Sequence, residues 1–539
     1  MPQLLCWAYR ELQGRLANNC YRNCCCRNCG LQTVGLPSGI SRSHIVLYYD
    51  SRLLRFHGCA LPDTRETGAK SFNDSTDVYW PNVKMGNLLK TTRNAVTGKA
   101  WNRPGRRLQL PAILMAFSML AASRQDAQTH APATKSASAS GHALGSVRVA
   151  LYAGVGTALT QYDVDVEDAV LIQRGTVTLP GNVQYAWPHP SRHYFYVAWS
   201  TGGPPTAGVS SSGGRHGVSA FSIDPVSGAL HSHGPPAELA SRPIHVSTDI
   251  PGTHLLVAYN DPSGVTVHRI NPDGTIGSQM ESPARLDVGI YAHQVRVDPS
   301  NRMVILVTRG NGPSGAKTED PGALKIFSYA DGLLMNRASI APGGGLNFQP
   351  RHLDFHPSRP WIFVSLERQN KIEVYQKRKD GTLSPEPLFI KDTVADPGHV
   401  RTGQEAGTIH VHPNGGFVYV ANRASGTADS QGKPVFVGGE NSIAVFAINQ
   451  NTGEPTLIQN IDTRGMTPRT FALDPTARIL VAANQLPLTT GEGIHAKIVP
   501  PNLAVFRIRG DGRLRFVRTY DVDAHDGKMM FWMGLVPLP

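Results

Sequence analysis

A chain of 539 residues with a formal net charge of +12 would suit a nucleic-acid binder, but the charge lies in the wrong place for one. Residues 1–123 carry 16 Lys and Arg against 6 Asp and Glu, a net +10, whereas the rest of the chain carries 36 against 34. A nucleic-acid groove needs cations clustered on the folded body, so this near-neutral body excludes that class of partner.

Residues 1–101 show no sustained apolar period and hold all seven cysteines: Cys6, Cys20, Cys24, Cys25, Cys26, Cys29 and Cys59. Thiolates two or three residues apart can share a metal. Three adjacent cysteines converge poorly on one ion, however, and no second ligand pair follows. The segment therefore reads as an irregular extension rather than a folded domain, and no metal is expected.

Residues 102–123 have the pattern of an export signal. Arg103, Arg106 and Arg107 precede the uncharged apolar run 108–122, which ends in small residues at Ala121, Ala122 and Ser123. That run is shorter than the roughly 20 residues needed to span a bilayer; the alternative reading is an uncleaved membrane anchor. Because signals act at a true N-terminus, translation is expected to begin near Met85. A polar linker follows over residues 124–145. The expected product is exported, periplasmic or secreted, with no stable membrane span after cleavage.

From residue 146 onward the pattern is strand throughout. VRVALYAGVGTALTQYDVD gives two strands. One phrase then recurs six times, an apolar strand, a turn on Pro and a second apolar strand: NVQYAWPHPSRHYFYVAWS, HVSTDIPGTHLLVAYND, HQVRVDPSNRMVILVTRG, RHLDFHPSRPWIFVSLER, TIHVHPNGGFVYVANRA and RTFALDPTARILVAANQ. The turn prolines Pro190, Pro251, Pro299, Pro357, Pro413 and Pro475 are spaced by 61, 48, 58, 56 and 62 residues. A strand-only period of this size indicates a β-propeller with one blade per repeat. NLAVFRIRGDGRLRFVRTYDV, at the other end, gives a hairpin around Asp511-Gly512. Joining strands from the two termini into one shared blade closes the ring at seven and removes open edges. The expected fold is all-β, a seven-bladed propeller over 146–539.

The two strands flanking each Pro turn are antiparallel, so the start of the first and the end of the second share one end of the blade. With the first strand on the channel, these residues crowd round one mouth. They are His245 and Asn260; His293 and Arg309; Arg351, His352 and Glu367; Thr408, His410, Asn422 and Arg423; and Arg469, Asn484 and Gln485. Arg, His and Glu meeting in a concave mouth suit a small anion. His352 and His410, beside strand-forming runs, also read as structural, and His356 and His412 as turn residues at the far end.

At these residues the chain resembles the lactonase family of seven-bladed propellers, which includes propeller-type 6-phosphogluconolactonases and fungal 3-carboxy-cis,cis-muconate lactonizing enzymes. AHQVRVDPSNRMVILVTRG, QPRHLDFHPSRPWIFVSLE, TIHVHPNGGFVYVANRA and TPRTFALDPTARILVAANQ carry the resemblance. So do Gly343-Gly344-Gly345 ahead of Pro350-Arg351-His352, and the Asn422-Arg423 pair. In the lactonizing members a His, two Arg and a Glu form the proposed functional set. The resemblance puts them on His293, Arg351, Glu367 and Arg423, with Arg309, His352, Asn422, Arg469 and His245 as substrate-binding neighbours. Many family members have Asp-Leu-Gly where this chain has Thr308-Arg309-Gly310, which changes the charge at the mouth.

The chemistry implied is hydrolysis or formation of a small carboxylate-bearing lactone. Arg would stabilise the oxyanion, His293 would titrate near neutral pH as acid or base, and Glu367 would orient a neighbour or activate water. With no GxSxG elbow, no acyl-enzyme is expected, and no cofactor is required. The rival reading is an exported, non-enzymatic propeller that binds a small anion or a protein partner. An exported enzyme would also be separated from a cytosolic phosphorylated lactone.

Overall fold

The Pro-turn phrase forms the two innermost strands of six blades. We describe a computed structural model, for residues 148–203, 214–491, 496–524 and 528–539. The extension with its cysteines, the export-signal segment and the linker lie outside the described residues.

In the fourth blade, Pro350–Phe355 pairs with Trp361–Leu366, and Lys371–Gln376 and Phe389–Asp392 follow outward, all antiparallel. The innermost strands of blades one to six are Asn182–Pro188, Pro243–Thr248, Ala292–Val297, Pro350–Phe355, Gln404–Val411 and Pro468–Leu473. Each packs on the next. The C-terminal strand Met530–Pro537 packs on both Pro468–Leu473 and Asn182–Pro188, which closes a ring of seven.

The closing blade is shared between the termini, but not as the sequence pattern suggested. Met530–Pro537 is its inner strand, and Val149–Val155, Ala158–Asp165 and Val170–Thr178 complete it. The hairpin around Asp511-Gly512 instead supplies the outer strands of blade six, Asn502–Ile508 and Leu514–Asp521, continuing the ladder from Ile479–Asn484. The second strand of a blade needs a partner on its outer edge, and Asn502–Ile508 is the one that blade six has.

Second strands are buried along their whole length: His254–Asn260, Met303–Thr308, Trp361–Leu366 and Ile479–Asn484 have no exposed residue. Each is covered on both faces by neighbouring blades, so its sequence reads as a continuous apolar run rather than an alternation. Phe363, for example, is fully buried among Val374, Ile409 and Val420 in the core between blades four and five.

The turns are held by the residue before proline. Asp298 accepts backbone N–H bonds from Ser300 (3.2 Å) and Met303 (2.9 Å), and Asp474 accepts from Thr476 (2.8 Å) and Ile479 (2.7 Å). His356 and His412 do the same through Nδ1, accepting from Arg359 (3.0 Å) and Asn414 (3.1 Å), as expected of turn residues.

Two extra hairpins rise between the second and third strands of blades five and six, at the end opposite the Pro turns. They are Thr427–Ser430 with Lys433–Phe436, and Leu488–Thr490 with Lys497–Val499, and they pack against each other. Among the described residues, no helix is long and apolar enough to cross a membrane.

Candidate active site

All seven inner strands carry a β-bulge near their start. The ladder skips Gln184, Ile244, His293, Arg351, the pair Gly407-Thr408, Arg469 and, in the closing blade, Phe531. A bulge leaves the extra residue unpaired and re-aims its side chain. Five of these residues, Ile244, His293, Arg351, Arg469 and Phe531, line one cavity of about 200 Å3 at the mouth.

In blades three, four and six a non-glycine residue in the left-handed region stands two positions before the bulged one: Tyr291 (φ 58°), Gln349 (φ 41°) and Thr467 (φ 54°). Their carbonyls accept the N–H of Arg309 (2.9 Å), Glu367 (3.0 Å) and Gln485 (3.1 Å), each just past the second strand. Strained backbone of this kind costs about 1–3 kcal/mol and concentrates at functional sites. Here it ties the two ends of the strand pair together and sets Arg309 and Glu367 at the same level on adjacent blades. The glycine run contributes similarly: Gly345 (φ 85°) accepts the Gly322 N–H at 2.9 Å, and a Cβ there would overlap the Gly322 carbonyl oxygen.

Glu367, 1% exposed, is the hub of the mouth. Its Oε2 accepts from Arg309 Nη1 at 2.6 Å, and its Oε1 accepts from both Arg351 Nη1 and Arg423 Nη2. Burial alone would favour the neutral carboxyl, but the three guanidinium groups outweigh it and hold Glu367 well below the usual carboxylate range. Three of the four lone-pair sites of the carboxylate are thereby taken by guanidinium groups. Arg423 also reaches Glu405 Oε2 at 2.7 Å. Burial and the neighbouring Arg423 pull Arg351 down to about 10, against the pull of Glu367, so it stays cationic at neutral pH.

The cavity lining contains five arginines, Arg242, Arg309, Arg351, Arg423 and Arg469, against two carboxylates, Glu367 and Glu405. The lining thus carries a formal excess of three positive charges. Arg469 lies 3.9 Å and Arg242 5.5 Å from the centroid of the Phe531 ring, so one phenyl bears on two cations. Burial lowers Arg242 to about 10 and, with Arg351 and Arg423 close by, takes Arg469 well below the ordinary arginine range. The Nε atoms of Arg242, Arg351 and Arg423 are buried and without a hydrogen-bond partner. Arg351 and Arg423 have Glu367 as counter-ion, so what these groups lack is a hydrogen-bond acceptor at Nε, which buried polar atoms normally have.

His293 is 4% exposed and its Nδ1 is buried without a partner. Near-neutral titration, expected from the residue type, does not survive the fold. Burial first, then Arg351 and His352, hold His293 well below its ordinary range, so it is a neutral imidazole at pH 7.

The fold thus brings His293, Arg309, Arg351, Glu367, Arg423 and Arg469 to one cavity. His352 lies beneath it, its ring 5.0 Å from that of His293, and His245 lies deeper still, 6.2 Å from His352. Asn422 is not in the lining. Its Nδ2 donates to Thr393 O (2.7 Å) and Ser442 Oγ (3.1 Å), holding the blade edge, as Asn484 does toward Thr463 O (2.8 Å). Thr408 and His410, read at the mouth, line the opposite end of the channel.

Arg242, Tyr291, Glu405 and Phe531 escaped sequence reasoning. Arg242 precedes its strand proline where Arg351 and Arg469 follow theirs, and Phe531 belongs to a strand with no Pro turn. Glu405 stands directly opposite Arg423 in the ladder, a pairing that strand register could have revealed. Among the described residues, no group of three or more His, Cys, Asp or Glu is placed to hold a metal ion.

The chain is 29% identical over 301 residues to a 6-phosphogluconolactonase of Bacillus subtilis (strain 168), covering 54% of this chain and 76% of the relative. It is 27% identical over 311 residues to a 6-phosphogluconolactonase of Pectobacterium carotovorum, covering 58% and 80%. The solved structure of a periplasmic gluconolactonase of Pseudomonas aeruginosa superposes with a TM-score of 0.53 at 18% identity, over 73% of this chain and 100% of that one, a likeness of fold. The family model described as "Lactonase, 7-bladed beta-propeller" matches residues 146–487, and the chain belongs to that lactonase family.

Proposed function

We propose that the mouth hydrolyses a small lactone bearing an anionic group. The observation that carries this is the excess of three positive charges around a buried, neutral His293 in one cavity of about 200 Å3. The relatives are named for sugar lactones, which supports an aldonolactone class. The export-like segment at 102–123 favours a non-phosphorylated acid over a cytosolic sugar phosphate.

Arg242 and Arg469 hold the anionic group, and Arg351 donates to the lactone carbonyl oxygen. Neutral His293 takes a proton from water as the hydroxide adds to the carbonyl carbon. The resulting imidazolium would be repelled by Arg351, but the oxyanion that forms in the same step offsets that charge. Collapse breaks the ring C–O bond, and the imidazolium returns its proton to the leaving alkoxide, giving a hydroxy acid. Glu367 positions Arg309, Arg351 and Arg423 and does not itself transfer the proton.

The test is release of acid from a panel of γ- and δ-lactones by the full chain. Arg351→Ala is expected to lower kcat/KM at least 100-fold, about 2.7 kcal/mol, as for removal of an oxyanion donor; wild-type activity would refute the assignment. The unpartnered buried Nε atoms also support a second reading, an exported propeller that binds a small anion without turning it over. Stoichiometric binding of hydroxy acids with no hydrolysis of any lactone would favour it.

A further inference from the structure

Asn260 lines the mouth cavity with Arg242 and has no part in the proposed proton transfer. It is 3% exposed, and its Oδ1 is buried without a hydrogen-bond partner. It is the last residue of the second strand of blade two. The ladder of that blade runs from Ala258 opposite His245 to Tyr259 opposite Pro243, so the next residues along, Asn260 and Arg242, meet at the mouth.

Asparagine at the same position of two other blades is spent differently. Strand register sets Asn260 opposite Ser263, as it sets Asn422 opposite Ser442 and Asn484 opposite Asn502. Asn422 Nδ2 donates across the ladder to Ser442 Oγ (3.1 Å), and Asn484 Nδ2 to Asn502 Oδ1 (2.8 Å). Neither residue lines the mouth cavity. In blade two the facing hydroxyl is engaged elsewhere. Ser263 Oγ donates to Val288 O (2.9 Å) and accepts the Ala292 N–H (3.0 Å), both on the approach to blade three. Asn260 lines the cavity instead.

Its chemistry differs from that of its neighbours. The five arginines of the lining donate and cannot accept. Glu367 and Glu405 accept from arginine, and His293 is the proposed base. Asn260 adds a neutral carboxamide, which accepts a hydroxyl proton or donates to a hydroxyl oxygen. A buried polar group without a partner carries its desolvation penalty, and a ligand hydroxyl would remove it. A site built this way rejects the analogue that lacks the hydroxyl, because its own polar group is then left unpaired.

We infer that Asn260 reads a hydroxyl beside the anionic group held by Arg242, so that the mouth selects polyhydroxylated acids and their lactones over the deoxy counterparts. The inference rests on the proposed reading of the mouth as a site for an anionic lactone, and it names a feature that such a ligand must carry.

Calorimetric titration of the full chain with D-glucarate and with adipate tests it. Both are six-carbon dicarboxylates, and they differ in the hydroxyl groups of glucarate. Wild type should bind glucarate about fivefold or more tighter than adipate, the worth of one neutral hydrogen bond. Asn260→Leu, close in size, should abolish that preference and leave adipate binding unchanged; Asn260→Ala repeats the comparison without adding apolar volume. Equal affinity of wild type for the two acids would overturn the inference. So would a preference that survives in both variants, or folded variants that lose both acids. Binding needs no turnover, so the two readings fail separately. A chain that prefers glucarate but hydrolyses no lactone keeps this inference and loses the proposed hydrolysis, and hydrolysis of acidic lactones without the preference does the reverse.

Discussion

Arg309 donates from Nη1 to Glu367 Oε2 at 2.6 Å, joining the ends of the second strands of blades three and four. Arg309 occupies the carboxylate oxygen that Arg351 and Arg423 leave open. It also stacks on Tyr291 at 4.0 Å. In the proposed mechanism this pair makes Glu367 a fixed counter-ion and leaves His293 as the base.

Arg309→Leu separates these roles. If Glu367 only positions the arginines, kcat should fall modestly, by about tenfold or less, while the acid limb of the pH–rate profile stays where His293 puts it. If the freed Oε2 became the base, that limb would move into the carboxylate range. The full profile of kcat/KM for wild type and variant distinguishes the two outcomes.

Glu367→Gln should be far more damaging to stability than a surface change. It leaves three buried or half-buried guanidinium groups sharing one neutral amide, and removal of one partner from a buried ion pair costs about 3–5 kcal/mol. The urea midpoint should drop accordingly. A variant as stable as wild type would mean that solvent reaches and screens this cluster.

Acid should weaken the fold in two windows. His245, His293 and His352 are all held well below the ordinary histidine range, by burial first and nearby guanidinium groups next. Below about pH 6.5 the unfolded chain protonates these groups and the folded chain does not. Stability therefore falls as pH falls, by up to about 1.4 kcal/mol per pH unit for each imidazole. Glu367 acts with the same sign at lower pH: its contribution is present above the ordinary carboxylate pKa of about 4.3 and is lost as pH falls through its depressed value. Urea midpoints measured at pH 7.5, 6.0 and 5.0 should decline steadily; a flat series would contradict the burial of the three rings.

Much of this site was legible because the turn prolines supply a ruler. Gln184, His293, Arg351 and Arg469 each stand six residues before their turn prolines, Pro190, Pro299, Pro357 and Pro475. That count already places the bulged position of these four blades, and of blade five at Gly407 before Pro413, and strand direction sends it toward the mouth end. In blade two the turn is one residue longer, with Ile250 between Asp249 and Pro251, so Ile244 slips out of the count and Arg242 goes unnoticed beside it. Phe531 has no proline to count from. Asn422 was misplaced for a different reason: it lies in the right strand and at the right end, but its amide turns to Thr393 O beside the outer strand of blade four and to Ser442 Oγ in its own blade. Strand order and end follow from sequence pattern, whereas the facing of a residue beside a bulge depends on register, which one inserted residue reverses. Protonation was least legible of all, since the lowered range of His293 comes from burial in the assembled ring and then from Arg351 on the next blade.

The bracket of Arg242 and Arg469 around Phe531 gives the last prediction. Neither arginine contacts Glu367, so neither is neutralised by the hub, and both face the cavity. Arg242→Gln should raise KM for lactones carrying a carboxylate by about tenfold or more, the worth of one charge-assisted hydrogen bond. KM for neutral lactones should change little. Phe531→Leu removes the ring that bears on both cations, a contact worth about 0.5–2 kcal/mol, and leaves the charges in place. It should therefore raise KM for the same acidic lactones by a smaller factor. The effect should also weaken with added salt less than that of Arg242→Gln, because lost packing is not screened and lost charge is. Equal effects of Arg242→Gln on charged and neutral lactones would mean that this arginine supports the fold of the mouth and not its choice of substrate.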